Sequence, residues 1–131
     1  MLYTGCILND NAVGTRISIM SRHTLNDRVT PDIRITDSSY DEWLRILAPS
    51  DRLIGEYYGN SMYWGEFAAR YTSEINDGAK VRAVEGLALR AIEDDVTILC
   101  IEDSHETCHR GLLAKECQRY FQHLKVIHLD N

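Results

Sequence analysis

The sequence predicts an α/β fold: a small Rossmann-like, three-layer domain with a short, mostly parallel sheet and helices on both faces. Three observations carry this reading. Residues 96–101 (VTILCI) form an unbroken apolar run rich in β-branched side chains, bounded by Asp94 and Asp95 on one side and by Glu102, Asp103 and Ser104 on the other. A run without polar alternation suits a strand buried on both faces of a parallel sheet. Helix-period apolar stripes flank that run, and shorter strand-like runs lie near the chain ends, at 2–7 and 125–129. With 131 residues and 44% hydrophobic composition, the chain is long enough for one sizeable core and too apolar for a disordered segment. Residues 1–131 are therefore read as a single domain.

Taken in order, residues 2–7 predict the first strand. Residues 15–20 alternate almost strictly and predict the second, with Asn9, Asp10, Asn11 and Gly14 marking the turn between them. Parallel crossovers usually take a dozen or more residues, so a link this short makes the pair either a hairpin or a minimal crossover. Residues 21–37 are polar, contain Pro31, and form a loop long enough to suspect a functional segment. Ser39 followed by Glu42 reads as a capping box opening a helix that ends near Ala48, ahead of Pro49. Ser50 caps a second short helix that ends at Gly59. Ser61 or Asn60 opens the next, in which Trp64, Phe67, Ala68, Tyr71 and Ile75 form an amphipathic stripe ending at Asn76, Asp77 and Gly78. A further stripe runs through Val81, Val84, Leu87, Ala88, Ala91 and Ile92. After the buried strand comes a helix from Thr107 to about Leu124, then a final strand at 125–129.

The formal charge of −6 argues against bulk binding to duplex DNA. Arginine outnumbers lysine 11 to 3, which suits bidentate recognition of carboxylate or phosphate at a local site. There are four cysteines but no C-x-x-C pair, no secretory leader pattern, and no apolar run near the roughly 18 residues a membrane span requires. A cytoplasmic protein with reduced thiols and no membrane association is expected.

The candidate site lies where the central strand gives way to a helix, because open α/β folds bind ligands at the carboxyl ends of their strands. With Thr107 as N-cap, Cys108, His109 and Arg110 occupy a first helical turn, whose free N–H groups attract anions and lower a thiol's pKa. Arginine there opposes the helix dipole, so an acidic partner is expected for Arg110: Glu102, a ligand, or both. Ser21 and Arg22, just past the second strand, are placed to converge on the same crevice, and Tyr57 or Tyr58 to flank a planar ligand. The spacing of Cys100, Glu102, His105, Cys108 and His109 matches no common zinc module, so no metal and no cofactor is expected. Adjacent helical side chains point about 100° apart, so His109 is not expected to act as base toward Cys108.

Several segments in order carry a family resemblance: Tyr3-Thr4-Gly5, then Ile17 through Ser21-Arg22, Leu47-Ala48-Pro49, Trp64-Gly65-Glu66-Phe67 with Tyr71, and Cys100-Ile101-Glu102 leading to Cys108-His109-Arg110 and Leu113-Ala114. Together they resemble the "domain of unknown function 488" family of small α/β proteins over nearly the whole chain. The C-x-E-x5-C-H-R-x-x-L-A portion is the most specific. The resemblance implies a compact α/β fold and a shared polar motif at Ser21, Arg22, Cys100, Glu102, Cys108, His109 and Arg110, and it brings no general activity. Two departures stand out: Ser104-His105 where relatives often carry a Pro-Gly turn, and a shorter connection after Ile7.

The function expected from these readings is binding of an anionic, nucleotide-like small molecule at the crevice. Ser21, Arg22, Cys100, His109, Arg110 and Tyr57 contact it. If the protein is an enzyme, it is a hydrolase or transferase acting on a nucleotide or nucleic-acid base, with Glu102 and Cys108 as catalytic groups. The alternatives are a non-catalytic protein that sequesters a nucleotide signal or modulates a nucleic-acid enzyme, and an interaction module whose Cys-His-Arg motif only braces the fold.

Overall fold

In the computed structural model, which describes residues 1–130, five parallel strands form one sheet. They are β1 (Leu2–Cys6), β2 (Thr15–Ser18), β3 (Glu42–Trp43), β4 (Val96–Cys100) and β5 (Val126–Leu129), in the order β3-β2-β4-β1-β5. Val96–Cys100 of the apolar run becomes the central strand, hydrogen-bonded to β2 and β1 and buried at every position. Four α-helices accompany it: α1 (Asp51–Gly59), α2 (Trp64–Ile75), α3 (Ala79–Glu93) and α4 (His109–Tyr120).

Strand order explains the layering. Parallel crossovers are right-handed, so links stepping one way across the sheet pass over one face and links stepping back pass over the other. The links from β3 to β4 and from β4 to β5 step one way and carry all four helices. Val96 and Ile98 on β4 pack with Leu87 and Leu113 of these helices in the larger core cluster. The links from β1 to β2 and from β2 to β3 step back. Leu99, on the opposite face of β4, packs with Ile7, Met20 and Ile35 from these segments. The protein is thus a three-layer α/β domain whose third layer is irregular chain with one 3-10 turn at Asp37–Ser39.

The connection after β1 is a minimal crossover, because β4 lies between β1 and β2 and all three run parallel. It passes so close to the chain before β4 that a Cβ on Gly14 would lie 2.0 Å from the Asp95 carbonyl oxygen, and Gly14 has φ +69°. Only glycine fits both demands. Beside it the buried Thr97 hydroxyl accepts from Val13 N–H (2.8 Å) and donates to Val13 C=O (2.6 Å), which satisfies a polar side chain inside the sheet.

The helix predicted from Ser39 to Ala48 does not form. Thr36, not Ser39, is the capping-box residue, and it opens only the 3-10 turn. Glu42 and Trp43 instead pair with Ile17 and Ser18 as the edge strand β3, followed by a 3-10 turn at Arg45–Leu47. Tertiary partners decide this. Glu42 takes a bidentate ion pair from Arg90 on α3 (3.0 and 2.6 Å), and the Trp43 indole donates to Met20 C=O at 2.6 Å. The Ser50 cap forms as expected, its hydroxyl accepting from Leu53 N–H at 3.1 Å, while α2 begins at Trp64, past the predicted Asn60 or Ser61. No helix among the described residues is long and apolar enough to cross a membrane.

Candidate active site at the carboxyl ends of β2 and β4

The chain leaves β2 over the irregular face and leaves β4 over the helical face, so a crevice opens between their carboxyl ends. It forms a pocket floored by Cys100, Cys108 and His109. Ser21, Arg22 and the 24–28 loop wall one side, Glu102 another, and the aromatic rings of Tyr57, Tyr58, Trp64 and Phe67 a third. Of the residues singled out from sequence, Ser21, Arg22, Tyr57, Cys100, Glu102, Cys108 and His109 all line it. Arg110 does not.

Arg110 is turned away from the pocket and is wholly buried, at 0% exposure. Its guanidinium donates to the carbonyls of Glu102 and Asp103 (2.5 and 3.2 Å), to the Thr4 hydroxyl (3.4 Å) and to the Asp130 carboxylate (2.8 Å). The expected ligand contact and the expected Glu102 carboxylate pairing are both replaced. The acidic partner is Asp130, just past β5, and Glu102 contributes its backbone. Arg110 therefore braces the loop after β4 against the end of β5. Asp130 also accepts from the His105 ring at 2.5 Å, and His105 stacks on His128 with ring centroids 3.5 Å apart. Burial opposes the Asp130 charge, but hydrogen bonds from His105 and Arg110 still hold its carboxyl below the usual carboxylate range.

Cys108 is the N-cap of α4, one position later than the predicted Thr107 cap, and its side chain makes no capping hydrogen bond. Its thiol is 2% exposed, and burial pushes its pKa well above the ordinary value. The helix terminus was expected to lower it; desolvation is the larger effect. His109 also differs from expectation. Its Nε2 lies 2.8 Å from the Ile19 carbonyl, and a carbonyl only accepts, so Nε2 carries the proton and Nδ1 of the neutral ring presents a lone pair. That lone pair faces Cys100 Sγ at 3.6 Å and Cys108 Sγ at 3.9 Å. The N-cap geometry of Cys108 brings together two side chains that a continuous helix would splay apart.

On the opposite wall the Tyr58 hydroxyl donates to Glu102 Oε1 at 2.9 Å. Burial and the neighbouring Glu102 charge raise the Tyr58 pKa far above that of free tyrosine, so the phenol stays protonated and orients the carboxylate. At the rim, Arg22 and Arg28 share one carboxylate, Asp51, at 3.2 and 2.6 Å. Arg28 sits at φ +64°, an uncommon backbone state for a non-glycine residue, and is held there by its bonds to Asp51. Past this rim the pocket continues into a second hollow lined by Arg22, Arg28 and Arg45 with His23 and Trp43. Sequence reading missed Arg28, Arg45 and Asp51, while Tyr58, the alternative to Tyr57 as a flanking ring, lines the pocket beside it. The length of the 21–37 loop was the available signal for Arg28.

Two histidines make the fold pH-sensitive. Burial, aided by Arg45, lowers the His23 pKa, and burial, aided by His105, lowers that of His128. A lowered folded-state pKa means the unfolded chain binds more protons between the two values. Their contribution is thus complete above the unfolded pKa of about 6.5 and declines as pH falls below it. Thermal denaturation between pH 7.5 and 5.5 should show a falling midpoint, with the slope reduced in a His23→Gln, His128→Gln double variant.

Comparison with known proteins places this architecture. The family model described as "DUF488-N3a: Active DUF488-N3 subclade" matches residues 9–120. The chain belongs to the DUF488 family. Similar curated proteins include "Uncharacterized protein Rv3073c" of Mycobacterium tuberculosis and "Uncharacterized protein Mb3100c" of Mycobacterium bovis, each 32% identical over 77 residues. That alignment covers 58% of this DUF488 chain and 65% of each relative, so the chain spans about 65% of the length of the curated relatives it matches. No solved structure matches it significantly.

Proposed function

We propose that this DUF488 domain binds an anionic, nucleotide-like small molecule. Its planar part lies among the pocket's aromatic rings, and its charged group lies in the adjoining arginine-lined hollow. The observation that carries this reading is electrostatic. Three arginines and no carboxylate line the hollow, and the nearby Asp51 offsets only one of the three charges, in a protein of net charge −6. Guanidinium groups in such a cluster suit phosphate, because their paired donors match its oxygens. Rings and cations that meet in one continuous cleft suit a base with a phosphate.

Glu102, held by Tyr58, is the group best placed to position water for hydrolysis or to accept a proton in group transfer. The family description "Active" is in keeping with a catalytic pocket. Cys108, buried with a raised pKa, is unsuited to be a free thiolate nucleophile and belongs to the pocket floor.

A thermal-shift screen of nucleosides against their mono-, di- and triphosphates tests this. At a hundredfold excess over Kd, a bound phosphate form adds about 2.7 kcal/mol of stability and raises the midpoint by several degrees. The unphosphorylated nucleoside should do much less. The Arg22→Ala, Arg28→Ala double variant should fold with nearly parental stability, because its ion pairs are partly solvated and the freed Asp51 sits favourably in the first turn of α1. It should lose the phosphate-dependent shift. A parent that responds to no phosphorylated compound, or a variant that responds undiminished, refutes the reading.

A further inference from the structure

We propose that Cys100, Cys108 and His109 form a binding site for one zinc-class divalent metal ion, open to the pocket. The three residues come from the end of β4 and the start of α4, and their ligand atoms all lie within 4.8 Å of one another. Tetrahedral zinc with ordinary bond lengths sets sulfur and nitrogen ligands about 3.5 Å apart and two sulfurs about 3.8 Å apart. The Nδ1 to Sγ separations of 3.6 and 3.9 Å match that spacing with little movement.

The surroundings are arranged as a metal site requires. The Ile19 carbonyl fixes the His109 tautomer from behind, the second-sphere bond that metal-ligating histidines make. Without a cation, one imidazole lone pair faces two buried thiols, at 3.6 and 3.9 Å. An ion satisfies all three groups at once. On binding, each thiol gives its proton to solvent, two metal–thiolate bonds and one metal–nitrogen bond form, and the two thiolates neutralise the dication. The cluster so formed carries no net charge, which suits its buried position. Two sulfurs and one nitrogen select zinc-like ions over magnesium or calcium. Three protein ligands leave a fourth position, and all three line the pocket that also holds Glu102 and Tyr58. The inference stands apart from the nucleotide reading, because metal uptake is measured without any other ligand.

The test is titration of the reduced full chain with cobalt(II), used as a spectroscopic stand-in for zinc. One equivalent should bind, with intense near-ultraviolet thiolate-to-cobalt absorption and the visible bands of a tetrahedral ion. Cys100→Ser and Cys108→Ser should each weaken binding at least about tenfold. Cys6→Ser, outside the cluster, should not. X-ray absorption of the zinc-loaded parent should show two sulfurs near 2.3 Å and nitrogen near 2.0 Å. This measurement needs no variant, so it decides the matter even where a serine variant fails to fold. A folded parent that takes up no stoichiometric ion, that binds it through oxygen and nitrogen alone, or whose two serine variants bind undiminished overturns the proposal.

Discussion

Replacing Arg110 with alanine is expected to cost about 3–5 kcal/mol of stability, read as a large fall in the denaturation midpoint. The side chain is fully buried and holds four acceptors at once: two carbonyls of the loop after β4, the Thr4 hydroxyl and the Asp130 carboxylate. Truncation leaves those acceptors without their cation and unties β4's loop from the end of β5. Lysine should rescue only part of the loss, since a single ammonium cannot span the acceptors that a guanidinium fork reaches. If Arg110 served a ligand, the free protein would tolerate alanine well. An unchanged midpoint would therefore contradict its role as a brace.

Gly111→Ala should also be damaging, against the ordinary trend. Alanine normally gains up to about 1 kcal/mol over glycine inside a helix. Here a Cβ would lie 2.4 Å from the His105 carbonyl oxygen, so α4 or the 3-10 turn at His105–Thr107 must move. A net loss of about 1–3 kcal/mol is expected. Because that turn leads into Thr107 and Cys108 at the pocket, the variant should also respond less to phosphorylated ligands. A more stable Gly111→Ala protein would show that the turn yields freely and that the pocket floor is not clamped from this side.

Local signals were legible in the sequence wherever the chain satisfied itself locally. The unbroken run at 96–101 gave the central strand, the Ser50 cap gave α1, and the stripe from Trp64 to Ile75 gave α2. Signals failed where a distant partner decides. The Ser39-to-Glu42 spacing fits a capping box, but Glu42 answers to Arg90 and Trp43 to Met20, which makes an edge strand of the predicted helix. The Cys-His-Arg motif was visible as a unit, yet its residues divide their work. Cys108 and His109 face the pocket, while Arg110 points the other way to Asp130, whose position after a short terminal strand carries no motif. The proximity of Cys100, Cys108 and His109 is likewise invisible to a spacing test, because a strand end and a helix start bring them together.

On the proposed function, this DUF488 domain meets its ligand in the cleft between β2 and β4, at the arginine rim. Amide chemical-shift mapping during titration with the most stabilising nucleotide tests it most directly. Shifts should concentrate at residues 20–28, at Tyr57 and Tyr58 on α1, and at 100–109, and should fade as salt rises. Perturbations centred elsewhere on the domain, or none at saturating nucleotide, would contradict it.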